Sequence, residues 1–360
     1  MNEILKIRLS SQRIAKYEFL DPAEIVKWMA GIQAQDESGA RWSIGLRVPG
    51  STEIDITNSI KNREILRTWL FRGTLHYVAR EDLLWLLKLL APYVIKGNTR
   101  RYEQLGLDGN VFKKSQTVLA KFLREKSEAT RGELKNILTD AGISAEDQRL
   151  PYLLQHAALD GSIYISGMHG REMKFRLLSE LDLQKPDLDR DELLAKLAER
   201  YFHSHGSATI YDFAWWSGLP MNDAREGLAG CQVLKEMVFE GESYWTFDEN
   251  TKATIEPLAC LLPPFDEYLL GYRDRDLVLD PAFAKKVNRG GGILKPTLLI
   301  NGKVSGTWRQ NEKGDEIFIE IKSFGKIDLE GKDAILQAAS RLSNFYQKHI
   351  SLNFNRILEA

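Results

Sequence analysis

Cysteine is scarce in this 360-residue chain: there are only Cys231 and Cys260. Two isolated cysteines make neither a metal-ligand spacing nor a disulfide framework, so both read as reduced core residues. Histidine is also sparse. Of the six, only His203 and His205 stand close together, and a separation of two points side chains apart on a helix. A metal centre is therefore not expected. No apolar run approaches the roughly eighteen residues of a membrane span. Charges scattered through Met1 to Lys16 leave no apolar core for a secretory signal, so the expected location is cytoplasmic.

Net charge is nearly absent too, at -1, but that value is an average. From Lys61 to Lys135 there are 16 Lys+Arg against 8 Asp+Glu, a net of +8. From Pro151 to Leu270 there are 10 against 20, a net of -10. Such a division gives one basic face suited to a polyanion; solvated charge that merely clusters is the bland alternative. The length allows two or more domains and a sizeable core.

Helical clusters followed by short strand pairs organise the chain. Asp21 is placed to cap a helix whose first position is Pro22. Helices over about Ser38 to Leu46 and Ile56 to Asn62 follow. Then Ile65-Leu66-Arg67-Thr68-Trp69-Leu70, a turn at Arg72-Gly73, and Thr74-Leu75-His76-Tyr77-Val78 read as a hairpin. Helices followed by a hairpin make the winged-helix variant of the helix-turn-helix. The pattern recurs. Thr130 and Glu133 have capping-box spacing at the start of a helix, a second helix covers about Ala145 to Leu159, and a second wing turns at Gly167-Met168-His169-Gly170-Arg171. A third copy starts at Ser207, with helices near Ile210 to Trp216 and Met221 to Ala229 and a wing from Gln232 to Phe247. After Glu256, short apolar strands and the hairpin turn Asn301-Gly302 predict a small antiparallel barrel or sheet. An amphipathic helix closes the chain from about Gly331 to Tyr346. The expected fold is α+β and mainly helical. It comprises winged-helix units over 1–95, 96–185 and 186–255, then an antiparallel β-barrel with a terminal helix over 256–360.

One short stretch stands out chemically. In Gly31-Ile32-Gln33-Ala34-Gln35-Asp36, two glutamines flank a small residue at the end of an apolar-periodic segment. In an extended loop Gln33 and Gln35 point the same way. Two neutral amides can hold a water or a sugar oxygen but cannot take a proton. Chemistry run here suits a substrate that hardly requires a strong base. The alternative is a helix C-terminus whose amides satisfy nearby backbone.

The chain resembles the AlkZ-type winged-helix DNA glycosylases, a bacterial family with three winged-helix units and a C-terminal β-barrel. The resemblance rests on that Gln-containing stretch, then Arg72-Gly73-Thr74-Leu75-His76, Leu262-Pro263-Pro264-Phe265-Asp266-Glu267, Gly271-Tyr272-Arg273-Asp274-Arg275 and Gly302-Lys303-Val304-Ser305-Gly306-Thr307-Trp308-Arg309. It spans nearly the whole chain. In the family a Gln-x-Gln pair marks the branch that excises bulky N7-alkylpurines, and a Gln-x-Asp pair marks a sister branch. Gln33 and Gln35 match the first form, although Ala34 is smaller than the usual middle residue.

The resemblance implies a monofunctional glycosylase acting on double-stranded DNA with alkylated purines, bulky adducts and crosslinks included. It implies a monomer working on nucleoid DNA with no metal and no organic cofactor. Gln35 would hold the attacking water and Gln33 would orient it or the sugar. Asp36 is a reserve carboxylate; its competing role, and the favoured one, is N-cap of the next helix. Arg72 suits a phosphate. Thr74 and His76 either approach DNA or bond within the fold. Arg131 lies in the basic segment as a further DNA contact. Met168, His169 and Arg171 form a wing tip that either wedges into a minor groove or stays a solvent loop. Trp215, Trp216 and Trp308 are expected in the core. Asp266 is read as turn-stabilising, with a role in a barrel mouth as its alternative. The rival to an enzyme is a non-catalytic winged-helix DNA-binding protein or regulator.

Overall fold

The computed structural model describes residues 2–15, 18–19, 21–232, 234–247, 258–288, 290 and 292–356. The fold is α+β and about half helical. Several of its helices start where a side chain satisfies the first free N–H groups. Asp21 caps Pro22–Trp28, Asp36 caps Glu37–Arg47, and capping boxes open Glu53–Lys61 (Thr52, Asp55) and Arg131–Asp140 (Thr130, Glu133). No helix among the described residues is long and apolar enough to cross a membrane.

Six strands form one antiparallel sheet. In spatial order they are Ile32–Gln33, Leu75–Ala79, Ile65–Trp69, Ile163–His169, Glu172–Leu177 and Ala129–Thr130. The first two hairpins of the chain are thus joined edge to edge, through Arg67 opposite Ile165. The third hairpin, Leu234–Phe239 with Glu242–Phe247, stands as a separate pair. The boundary expected at 255/256 falls within 248–257, outside the described residues.

The C-terminal region corrects the expectation of a closed antiparallel barrel. Five strands make an open sheet in the order His349–Arg356, Glu316–Ser323, Lys303–Lys313, Thr297–Ile300, Ala259–Leu262, and the first pair is parallel. The helix Leu329–Tyr346 explains both differences. It is the crossover that a parallel pair requires. Its apolar face, with Ile335, Ala338, Leu342 and Phe345, packs into the same core as Leu261, Leu298, Ile319 and Ile321, so the sheet buries its face against a helix and not by closing on itself. This helix is also not terminal, because the strand His349–Arg356 follows it.

The N-terminal helices share that core. Ile25, Met29, Trp42, Ile44 and Leu46 pack with the C-terminal sheet. Gly45 permits the approach: a Cβ there would lie 2.3 Å from the Phe345 ring. One buried ion pair fixes the contact. Arg47 donates from Nη1 and Nη2 to the two oxygens of Asp266 at 2.8 Å each, and neither side chain is exposed. Ser43 Oγ donates to the same carboxylate at 2.7 Å, and Arg47 Nε donates to Gln12 O at 2.9 Å. Burial opposes both charges, but the pairing outweighs it, holding the Arg47 pKa up and the Asp266 pKa down. Removing one partner strands the other's charge. Asp266→Ala should therefore lose about 3–5 kcal/mol of stability. A urea titration checks this, and a midpoint equal to wild type would contradict it.

Candidate active site

Gln33 and Gln35 owe their placement to their backbone. After the helix Pro22–Trp28 ends, Gly31 passes so close to Phe71 that a Cβ would meet its ring at 2.8 Å. The chain then enters the sheet edge, with Ile32 opposite Tyr77 and Gln33 opposite His76. Ala34 N–H donates to Leu75 O at 2.7 Å. Ala34 C=O accepts from Arg67 Nε at 3.1 Å and Nη2 at 2.6 Å. Arg67 also reaches Glu37 at 3.3 Å and the Met168 sulfur at 3.6 Å. Ala34 is fully buried, and its backbone is thus clamped on both sides. Its neighbours turn to one side. Gln33 Nε2 donates to Gln35 Oε1 at 3.0 Å, and Gln35 N–H donates to Gln33 Oε1 at 3.4 Å. Gln33 is buried and Gln35 exposed. The Gln33 amide is spent on orienting its neighbour. Gln35 keeps its NH2 group and one Oε1 lone pair for a group outside the protein.

Behind the pair lies Glu267, buried to 2% exposure. Its Oε1 accepts from Gln33 N–H at 3.1 Å and its Oε2 from Trp216 Nε1 at 3.1 Å, with His205 Nε2 at 3.6 Å. Burial opposes its charge, but the polar groups around it, His205 first and then the Gln33 N–H, outweigh that and hold the carboxyl below the usual range. His76 is buried as well. Its Nδ1 lies 3.0 Å from Thr74 O, so Nδ1 carries the proton and donates. Burial pushes its pKa down to about 4, which leaves the ring neutral at pH 7.

The other expected residues divide by position. Asp36 accepts from Gly39 N–H at 2.7 Å as the cap of Glu37–Arg47. Arg72 adopts φ 54°, donates to Trp215 O at 3.2 Å and lies 5.3 Å over the Trp215 ring. Thr74 Oγ1 donates to Phe71 O at 3.0 Å. Met168 touches Arg67 as above, while His169 and Arg171 are exposed at the hairpin tip. Arg131 is exposed just after Ala129–Thr130, the sheet edge opposite the glutamines. The structure therefore gathers Gln33, Gln35, Arg72, Thr74 and His76 at one edge, ties Met168 to them through Arg67, and leaves Arg131 apart. Among the described residues no cluster of His, Cys, Asp and Glu could hold a metal.

One expectation needs correction. Trp216 is core at 2% exposure, but Trp215 is 45% exposed, because adjacent helical residues point about 100° apart. The turn-stabilising role read for Asp266 is what the structure shows: it accepts from Tyr268 N–H at 2.9 Å as cap of Glu267–Leu270, and it also pairs with Arg47. Sequence reasoning also missed Arg67 and Glu267. Arg67 had a signal, since a lone charge inside an apolar strand must find a partner when buried; Glu267 is masked by the adjacent Asp266.

Residues 26–345 match the family model described as DNA glycosylase AlkZ-like. The chain belongs to the AlkZ-like DNA glycosylase family. The resemblance carried by the motifs is thereby borne out, and with it DNA binding and DNA repair. An interstrand DNA cross-link repair glycosylase of Streptomyces sahachiroi is 25% identical over 329 residues, 81% of this chain and 84% of that relative. The solved structure of the Streptomyces sahachiroi DNA glycosylase AlkZ shares the fold, with a TM-score of 0.82 at 20% identity over 98% of each chain.

The buried histidines around the glutamine pair make stability depend on pH. Unfolded, His76 takes up a proton near its usual 6.5; folded, it resists until about 4. Stability should fall as pH drops through that window, by up to roughly 3 kcal/mol from His76 alone. His205, lowered by burial, adds in the same direction. His76→Gln should flatten the fall in melting temperature between about pH 7 and 4.5. A slope unchanged from wild type would contradict the assignment.

Proposed function

We propose that the chain is a monofunctional DNA glycosylase that hydrolyses the N-glycosidic bond of cationic N7-alkylated purines, bulky adducts and interstrand crosslinks included. The touching amides of Gln33 and Gln35 carry this reading. An N7-alkylpurine is already a cation and leaves as a neutral base, so no acid has to protonate it. As the bond to C1′ breaks, charge moves onto the sugar. What the protein must supply is a positioned water and oriented dipoles. Gln35 does this with its outward amide, accepting a hydrogen bond from the water and offering N–H to a sugar or phosphate oxygen. Gln33 fixes the rotation of Gln35. The water's proton passes to solvent after attack, because neither amide is a base. No step calls for a metal or an organic cofactor.

Crosslinks enter the proposal through the Streptomyces sahachiroi relative, whose name gives that role. The three helix-plus-hairpin segments are read as winged-helix units that carry the duplex. Exposed Lys113, Lys114, Lys121 and Arg124 on the helix Gly109–Lys126 offer phosphate contacts away from the glutamines.

Duplex DNA with a single N7-methylguanine, followed by hot-alkali cleavage at abasic sites, tests the activity. In single turnover, Gln35→Ala should lose about a hundredfold in excision rate or more while duplex affinity hardly changes. Gln33→Ala should lose less, and Asp36→Asn least. Wild-type binding without base release would favour the non-catalytic regulator. A dead Asp36→Asn beside an active Gln35→Ala would give the chemistry to the acid.

A further inference from the structure

We infer that Glu267 is a positioning residue for the amide pair, and that its negative charge, fixed directly behind Gln33, stabilises the sugar cation formed as the base departs. The inference rests on the glycosylase reading above and adds a residue that acts through Gln33 and through space.

The first observation is contact. Glu267 Oε1 takes the Gln33 N–H at 3.1 Å, so the carboxylate sets the backbone from which the buried amide reaches Gln35. The second is the kind of partner it has. Asp266, next in the chain, is neutralised by two Arg47 nitrogens. Glu267 is satisfied instead by the Gln33 and Trp216 N–H groups, with the burial-depressed His205 ring 3.6 Å away. Among the described residues no Lys or Arg nitrogen pairs with it at ion-pair distance; the Arg72 and Arg47 guanidiniums act on it only through space. A carboxylate whose direct donors are neutral keeps more of its field than the ion-paired Asp266, and a buried flank screens that field poorly.

The third observation is chemical. A backbone carbonyl could accept the Gln33 N–H without the desolvation that a buried carboxylate demands. What only a carboxylate adds is charge. In an N7-alkylpurine the positive charge starts on the base and moves to C1′ and the ring oxygen as the bond breaks. A fixed anion on the sugar side favours that displacement and requires no reorganisation when it occurs.

The test compares duplexes carrying two abasic-site analogues: a pyrrolidine, cationic like the transition state, and a neutral tetrahydrofuran. Wild type should bind the pyrrolidine duplex about tenfold more tightly or better. Glu267→Gln alone would set an amide NH2 against one of two N–H donors, so the charge is removed on a background that lacks one of them. Trp216→Phe should keep the cation preference. Trp216→Phe with Glu267→Gln should lose it, to within about twofold, and excise N7-methylguanine about tenfold more slowly or worse than Trp216→Phe. Glu267→Asp, which keeps the charge on a shorter arm, should retain the preference yet lose excision rate. That split is one a purely structural role would not give. Equal preference in Trp216→Phe and the double variant, at matched melting temperatures, overturns the inference. So does a wild type that releases base but shows no preference for the cation. Absence of base release by wild type, in contrast, overturns the glycosylase reading itself.

Discussion

The doubly hydrogen-bonded, fully buried pair of Arg47 and Asp266 sets the position of everything at the site. Arg47 ends the helix whose cap, Asp36, directly follows Gln35. Asp266 directly precedes Glu267, whose carboxylate meets Gln33. The pair thus fastens the far end of the glutamine-bearing segment to the C-terminal sheet while the next residue secures the near end. Trp216, on a helix from the middle of the chain, adds a third segment through the same carboxylate. Three parts of the sequence converge on two adjacent acids, and the amide pair lies where they meet.

That construction suits a reaction with modest chemical demands. Enzymes that break glycosidic bonds with two carboxylates need one raised in pKa to protonate the leaving group. Here the exposed functional group is the neutral Gln35 amide, and the acids nearest the pair are a cap, Asp36, and a buried support, Glu267. The division between a buried, committed Gln33 and an exposed Gln35 is a device for precision: one amide is spent so that the other has a single orientation. Arg67 serves the same end by gripping the Ala34 carbonyl between them.

Much of this was legible in the sequence where local rules apply. Asp21 with Pro22, Thr130 with Glu133, and the turn at Asn301-Gly302 announce themselves by short-range chemistry, and the structure has an element boundary at each. The glutamine pair was legible because residues two apart in an extended segment share a side. Non-local facts were not. Strand alternation says that one face is buried, not whether a sheet closes or meets a helix, so the open C-terminal sheet was misread as a barrel. Glu267 sits in an apolar run beside a more conspicuous acid, and only tertiary contact reveals which of the two faces Gln33. Adjacent tryptophans likewise say nothing of which one faces solvent, and Trp215 does.

The central claim is that neutral amides, supported by groups of constant charge, carry the catalysis. The pH dependence of single-turnover base release tests it most directly, on duplex DNA bearing N7-methyladenine, whose cation has no ring N–H to lose. Gln33 and Gln35 do not titrate, His76 stays neutral above about 4, burial holds His205 below its usual 6.5, and Glu267 stays ionised. The rate should therefore be flat between about pH 7 and 8.5. A rate that rises or falls tenfold per pH unit across any part of that range would show that a titrating side chain does the work, and would contradict the account.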